Sequence, residues 1–236
     1  MLRLYVDAPL AAGQALDLPP GPARHVQVRR LQPGDRLQLF DGRGGEWTAQ
    51  VVAMGRSRVA VQVLSHRAVD CELPLAVTLA LGMPANERMD WLVEKATELG
   101  VADLQPLVCD RSVLRLDGER AERKREHWQA QAVAAAEQCG RTRVPRVQPV
   151  RRLLDWLPEV PPAARRWLLS PQATQRAPQP AAAQPWVLLS GPEGGLTAAE
   201  EDAARQAGFE AVHLGPRILR AETAPLALLA WLGLST

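Results

Sequence analysis

The chain of 236 residues contains no apolar run approaching the roughly 18 residues that cross a bilayer, so no membrane span is expected. Asp7 comes too early for the apolar core of a signal peptide, and a cytoplasmic protein is the expectation. Cysteine is scarce. Cys71, Cys109 and Cys139 are odd in number, widely spaced and free of any CxxC pattern, which excludes a disulfide framework and a cysteine zinc site and leaves reduced, mostly buried thiols. The histidines His25, His66, His127 and His213 show neither HExxH nor another ligand spacing, so no metal is expected. Net charge is small as well, +2 overall, too little to mark the whole chain as a nucleic-acid binder. Its distribution is uneven. Residues 1–70 carry nine Lys and Arg against six Asp and Glu, while residues 71–236 carry 19 against 20. A basic front segment fits either an appendage for phosphate backbone or an ordinary solvated surface.

With 47% hydrophobic residues the chain can bury a sizeable core, either as one large domain or as a small and a larger one. The first 70 residues have a β rhythm. Arg36–Phe40, Glu46–Val52 and Arg58–Leu64 are short segments separated by Asp41-Gly42-Arg43-Gly44-Gly45 and Met54-Gly55-Arg56-Ser57. Short strands with tight glycine turns predict a small barrel. After residue 70 strands alternate with helices. Leu75–Leu81 and Val101–Cys109 are predicted strands. Glu87–Leu99 and Glu119–Cys139 are predicted helices, the first with Met89, Leu92, Val93 and Ala96 at helical spacing before Gly100. This pattern predicts an α/β domain with a mostly parallel sheet, joined to the first domain near residue 70. Pro171–Pro185, rich in Pro, Ala and Gln, reads as a surface loop between two apolar strands that begin at Trp167 and Trp186. The tryptophans are dispersed, and Trp91, Trp128, Trp156 and Trp231 are expected in the core or at a dimer contact.

The last quarter holds the strongest functional signal. Leu188-Leu189-Ser190 runs into Gly191-Pro192-Glu193-Gly194-Gly195, and the Phe209–Leu214 strand runs into Gly215-Pro216-Arg217-Ile218-Leu219-Arg220-Ala221-Glu222-Thr223. Thr197 and Glu200 fit a capping box opening a helix that Gly208 ends, and Ala224–Leu232 is a helix apolar all round. Ligands of open α/β folds bind beyond the carboxyl ends of strands, so two such loops predict one pocket, the alternative for either loop alone being a simple chain turn. Neither a Walker sequence nor GxGxxG is present, and Glu193 would repel a phosphate. A cationic ligand, such as an adenosyl sulfonium, is electrostatically better suited to Glu193 and Glu222.

These two loops resemble the signature of the RsmE family of ribosomal RNA uracil-N3 methyltransferases, of the SPOUT class. So do Lys95-Ala96-Thr97-Glu98-Leu99-Gly100-Val101, Arg111-Ser112, and Ala135-Ala136-Glu137-Gln138 with Arg141 and Pro145. In the front segment Arg24-His25-Val26, Val28-Arg29, Gly34-Asp35 and Phe40-Asp41-Gly42 are similar to the family's N-terminal module. The resemblance implies a PUA-like RNA-binding β-barrel over 1–70 and a SPOUT methyltransferase domain over 71–236, with a C-terminal trefoil knot around S-adenosylmethionine. It further implies a homodimer that methylates N3 of a uridine in 16S ribosomal RNA within the small ribosomal subunit. The competing expectation is a non-catalytic RNA-binding ribosome-assembly factor that retains the fold. Two departures stand out: Ala221 occupies a position where Thr is common, and Ser170-Pro171-Gln172 replaces an acidic residue after Leu169.

Carried onto this sequence, the resemblance places Leu169, Ser170, Leu189, Ser190, Gly191, Pro192, Glu193, Gly194, Leu214, Gly215, Ile218, Leu219, Arg220 and Ala224 at the cofactor. Uracil N3 carries a proton at neutral pH, so the reaction needs a base or a cation that favours the anion. Arg220 is expected to stabilise the anionic oxygen and Glu222 to accept the proton, the alternative being that the two merely pair with each other. Arg24, His25, Arg29, Arg30 and Arg141 are the candidates for RNA contact. Arg29 and Arg30 would point to opposite faces if their segment is a strand. Arg111, Arg115, Arg123, Lys124 and Arg125 interleave with Glu119, Glu122 and Glu126 and read as a solvated charged face.

Overall fold

The computed structural model describes residues 1–56, 58–85, 87–177 and 184–234, so Ser57 of one expected turn and residues 178–183 of the expected Pro171–Pro185 loop lie outside it. The chain divides into two compact units. The first comprises Met1–Glu72 and Ala136–Val144, the second Leu73–Ala135 and Pro145–Thr236.

In the first unit the elements are β1 (Arg3–Tyr5), β2 (Ala15–Asp17), α1 (Pro20–Val28), β3 (Arg36–Phe40), β4 (Glu46–Met54) and β5 (Val59–Arg67). The strands form one sheet in the order β1-β3-β4-β5-β2. Period-two alternation drives the sheet inward on one side, so that Leu37, Leu39, Val59, Val61 and Val63 are fully buried. Register shifts between Thr48 and Ala49 and between Val51 and Ala53 bend β4 against β5, as bulges do. Helix α1 starts with Pro at its first turn, where the missing N–H costs nothing, and seats Ala23 and Val26 on the core. The strand alternation considered for Arg29 and Arg30 therefore does not apply. Arg29 caps the helix, and Arg30 turns the chain with a φ of 57°.

The return of Ala136–Val144 to this unit is long-range and was invisible to local pattern. Arg3 donates to the Ala136 carbonyl at 2.8 Å, and the Tyr5 N–H donates to Glu137 Oε1 at 2.9 Å. Burial pushes the Glu137 carboxyl above its ordinary range, partly offset by that backbone N–H. Of the cysteines expected to be mostly buried, Cys109 is buried, Cys139 half-buried and Cys71 exposed.

The second unit contains β6 (Val77–Gly82), α2 (Glu87–Glu98), β7 (Asp103–Val108), α3 (Gly118–Cys139, shared at its end with the first unit), β8 (Arg146–Val147) and β9 (Arg151–Arg152). It continues through α4 (Leu153–Trp156), β10 (Arg165–Leu169), β11 (Trp186–Ser190), α5 (Ala198–Gln206), β12 (Glu210–Val212) and α6 (Thr223–Leu234). Every ladder is parallel, in the order β12-β10-β11-β6-β7-β8, with β9 also on β7. Strands buried on both faces need no alternation, and β11 is buried at all five positions.

Helix α6 packs on α2 and β11, and buries Leu226, Leu228, Leu229 and Leu232. Full burial of leucines of this kind stabilises by about 1.5–3 kcal/mol each. Trp231 stacks on Trp167 with centroids 6.4 Å apart, and Trp167 meets Trp186 edge-on at 4.4 Å. Trp128 is fully buried with its indole N–H on Asp90, and Trp156 is buried too. Trp91 is 46% exposed, so it is not a core residue of the single chain.

The register decides where the loops emerge. Leu169 pairs with Ser190 on one side and Val212 on the other, and Ser190 also pairs with Leu81. The carboxyl ends of β10, β11, β12 and β6 are therefore level and adjacent.

Candidate active site

The loops after β10, β11 and β12 enclose a cavity of about 640 Å³ beyond those strand ends. The loop after β11, residues 191–197, is pegged on several sides. A Cβ at Gly82, the last residue of β6, would stand 2.5 Å from Pro192 Cδ and 2.6 Å from Pro192 N, so only glycine lets the loop approach there. Glu193 Oε1 accepts from the Ala85 N–H at 2.9 Å and from Arg88 Nη1 at 3.2 Å. Arg111 donates to the carbonyls of Gly194 and Leu196 at 3.1 and 3.3 Å.

The loop then ends in the capping box expected from sequence. Glu200 N donates to Thr197 Oγ1, and Thr197 N donates back to Glu200 Oε2 at 2.8 Å. Glu200 is 2% exposed, and its other oxygen accepts from the Asp110 N–H at 2.8 Å. One carboxylate thus joins the helix start to the loop that carries Arg111. Cys109, beneath this junction, has its thiol pushed up to about 12 by burial, with Glu200 adding to the shift.

The loop after β12 has fewer supports. Gly215 adopts a φ of 115°, and its N–H donates to His213 Nδ1 at 3.1 Å. Thr223 and Ala224 N–H close onto the Arg220 carbonyl at 2.9 and 3.0 Å. Between them Arg217, Ile218 and Arg220 are exposed, Ile218 to 85%. Glu222 is buried, with Oε1 4.0 Å from Arg88 Nε and Oε2 without a hydrogen-bond partner among the described residues. The expected alternative of an Arg220–Glu222 pair is not what forms.

From the third loop, Ser170 Oγ donates to Glu201 Oε1 at 2.9 Å, and Glu201 pairs with Arg205. The N–H groups of Gly194, Leu214 and Leu219, all on cavity-lining residues, have no hydrogen-bond partner among the described residues. Backbone donors left open toward a cavity are what a bound polar ligand satisfies.

A family model described as an RNA methyltransferase domain matches residues 71–233, and one described as an RNA methyltransferase PUA domain matches residues 23–64. Ribosomal RNA small subunit methyltransferase E of Bacillus subtilis is 31% identical over 220 residues, covering 89% of this chain and 86% of the relative. The Synechocystis protein of that name is 36% identical over 210 residues, 86% of this chain and 67% of the relative. This chain belongs to the ribosomal RNA small subunit methyltransferase E family. A solved member from Neisseria gonorrhoeae, bound to S-adenosylmethionine, is 37% identical, with a TM-score of 0.90, over 98% of this chain and 95% of that one.

Within this family fold the expected cofactor residues are brought together with one exception. Leu169, Ser170, Ser190, Gly191, Pro192, Glu193, Gly194, Leu214, Gly215, Ile218, Leu219, Arg220 and Ala224 all line the cavity. Leu189 does not; it is fully buried in the core of the sheet rather than facing the pocket. Glu222 is likewise absent from the lining. Sequence reasoning missed Arg88, Glu201 and His213, which do line it. It also read Arg111 as part of a charged face, whereas its guanidinium folds onto the Gly194–Leu196 loop. The charge of Glu193 is balanced by Arg88, so shape and open backbone donors speak for the ligand more than charge does.

Arg24, His25, Arg29 and Arg30 are exposed. Arg141 differs from these four in being only 5% exposed, and its Nε donates to Glu72 Oε2 at 2.9 Å. That pairing with Glu72 ties residues 136–144 to the end of the first segment within the first unit. The run along α3 pairs with its own acids, Arg125 with Glu122 and Arg123 with Glu119, as a solvated face does.

Proposed function

We propose that the chain is an S-adenosylmethionine-dependent methyltransferase acting on N3 of a uridine in 16S ribosomal RNA of the small subunit. The observation that carries this reading is the 640 Å³ cavity, walled by two glycine loops with open backbone donors, in a chain of an RNA methyltransferase family. S-adenosylmethionine, when bound, supplies a methyl group on a sulfonium for in-line displacement. The backbone of Gly194, Leu214 and Leu219 holds it, and Leu196 and Ile218 shield it from water.

Arg220 stands in the cavity lining with its guanidinium exposed. It favours the uracil anion by stabilising the oxygen beside N3. Glu222 holds a carboxylate oxygen with no partner among the described residues, and accepts the N3 proton directly or through one water. The exposed Arg24, His25, Arg29 and Arg30 meet the RNA backbone. The trefoil threading, the cytoplasmic location and a homodimer belong to the same proposal. Trp91, 46% exposed, and Val113, 77% exposed, are apolar surface that a second copy would cover.

Calorimetry with S-adenosylmethionine, followed by base-modification mapping of ribosomal RNA from cells with and without the protein, tests the reading. Binding together with loss of one N3-methylated uridine is expected. No binding at high micromolar ligand would favour the non-catalytic assembly factor instead.

A further inference from the structure

One side chain outside both loops touches both of them. Arg88 lies in the first turn of α2, six residues past the Gly82 on which Pro192 is seated. Its Nη1 reaches Glu193 Oε1 at 3.2 Å in the loop after β11, and its Nε lies 4.0 Å from Glu222 Oε1 at the start of α6. The first carboxylate is also fixed by the Ala85 N–H, so the segment from Gly82 to Arg88 grips that loop at three points. The second carboxylate is buried, and Arg88 is its sole ion-pair partner among the described residues. A buried carboxylate without a cation is costly, so removing Arg88 leaves Glu222 uncompensated and Glu193 with only its backbone tether.

We propose that Arg88 is a positioning residue for methyl transfer, a two-pronged cation that couples the two cofactor loops by holding Glu193 of one and Glu222 of the other. The proposal rests on the methyltransferase reading for its catalytic consequence, but not for the coupling itself. The two prongs are different nitrogens of one rigid plane. A lysine ammonium supplies the charge from a single point and cannot reproduce the spacing.

Hydrogen exchange on the ligand-free protein reads the coupling without turnover. In Arg88→Gln the Gly195 amide, bonded to the Pro192 carbonyl at 2.8 Å, and the Thr223 and Ala224 amides, bonded to the Arg220 carbonyl, should all exchange faster together. Arg88→Lys should fall between Gln and parent. Faster exchange in one loop only, or in neither, overturns the coupling whatever the activity of the parent.

Single-turnover kinetics reads the consequence. At saturating S-adenosylmethionine the methyl-transfer rate of Arg88→Gln should fall about 100-fold, as misplaced reacting groups do, against about 10-fold in cofactor affinity. Lysine should restore part of the rate. An Arg88→Gln rate equal to the parent's, or a loss in affinity alone, overturns the positioning role. If Arg88→Gln does not fold, Glu193→Gln, Glu222→Gln and the double variant replace it, and strictly additive rate losses overturn the proposal.

Discussion

The two loops that wall the cavity are built on opposite principles. The loop after β11 is fixed before any ligand arrives: Pro192 rests on Gly82, Glu193 on Ala85 and Arg88, and the carbonyls of Gly194 and Leu196 on Arg111. The capping box then anchors its end. The loop after β12 has a turn at Gly215, a turn at Arg220 and the distant Arg88–Glu222 contact, with Arg217, Ile218 and Arg220 in solvent between them. Local stability follows such supports. The first loop is a preformed half-site. Under the proposed function, the second would gain its further contacts from ligand and RNA. Substitutions in the two should therefore separate stability from turnover.

The largest expected effect comes from Gly82→Ala. Its Cβ would overlap the backbone of Pro192, so either β6 or the loop must move. Overpacking of this kind costs about 1–3 kcal/mol. S-adenosylmethionine affinity by calorimetry should fall with it, and an unchanged affinity would show that the first loop is not held from below. Next comes Arg220→Ala, in the second loop. Single-turnover methylation should slow about 100-fold, while urea denaturation moves by less than about 0.5 kcal/mol, as for an exposed side chain.

Thr197→Ala should do the reverse. The capping box is lost, unfolding free energy drops by about 1 kcal/mol, and turnover changes little. A turnover loss as great as that of Arg220→Ala would erase the contrast between the loops. The smallest effect at neutral pH concerns the floor under the first loop, where the Cys109 thiol is pushed up to about 12 by burial. A raised folded-state value means that stability from this group is full below the unfolded thiol's ordinary range, near pH 9, and is lost as pH rises toward 12. The parent minus Cys109→Ala stability difference should therefore shrink above pH 9, by at most about 1.4 kcal/mol per pH unit. Below pH 9 it should be flat.

What was legible in the sequence was what local chemistry specifies. The capping box at Thr197 and Glu200, the periodic α2, the alternating β3 and the glycine loops need only a few neighbouring residues, and they appear where the pattern put them. Helix α1 was hidden because its Pro20-Gly21-Pro22 start resembles a turn, although proline is tolerated there. The return of Ala136–Val144 to the first unit, and with it the burial of Arg141, depends on Glu72, 69 residues away in sequence. Arg88 and Arg111 find their loop partners at separations of 105 and 83 residues. Their residue type signals only surface charge, and nothing local distinguishes a guanidinium that will clamp a loop from one that will face water.

Hydrogen exchange with and without S-adenosylmethionine tests the central claim most directly. On binding, the Thr223, Ala224 and Gly215 amides of the second loop should slow strongly, while Gly195 and Glu200 in the first, already protected, should change little. Equal slowing in both loops would contradict the preformed half-site, and no change in either would contradict the cavity as the place where the methyl donor binds.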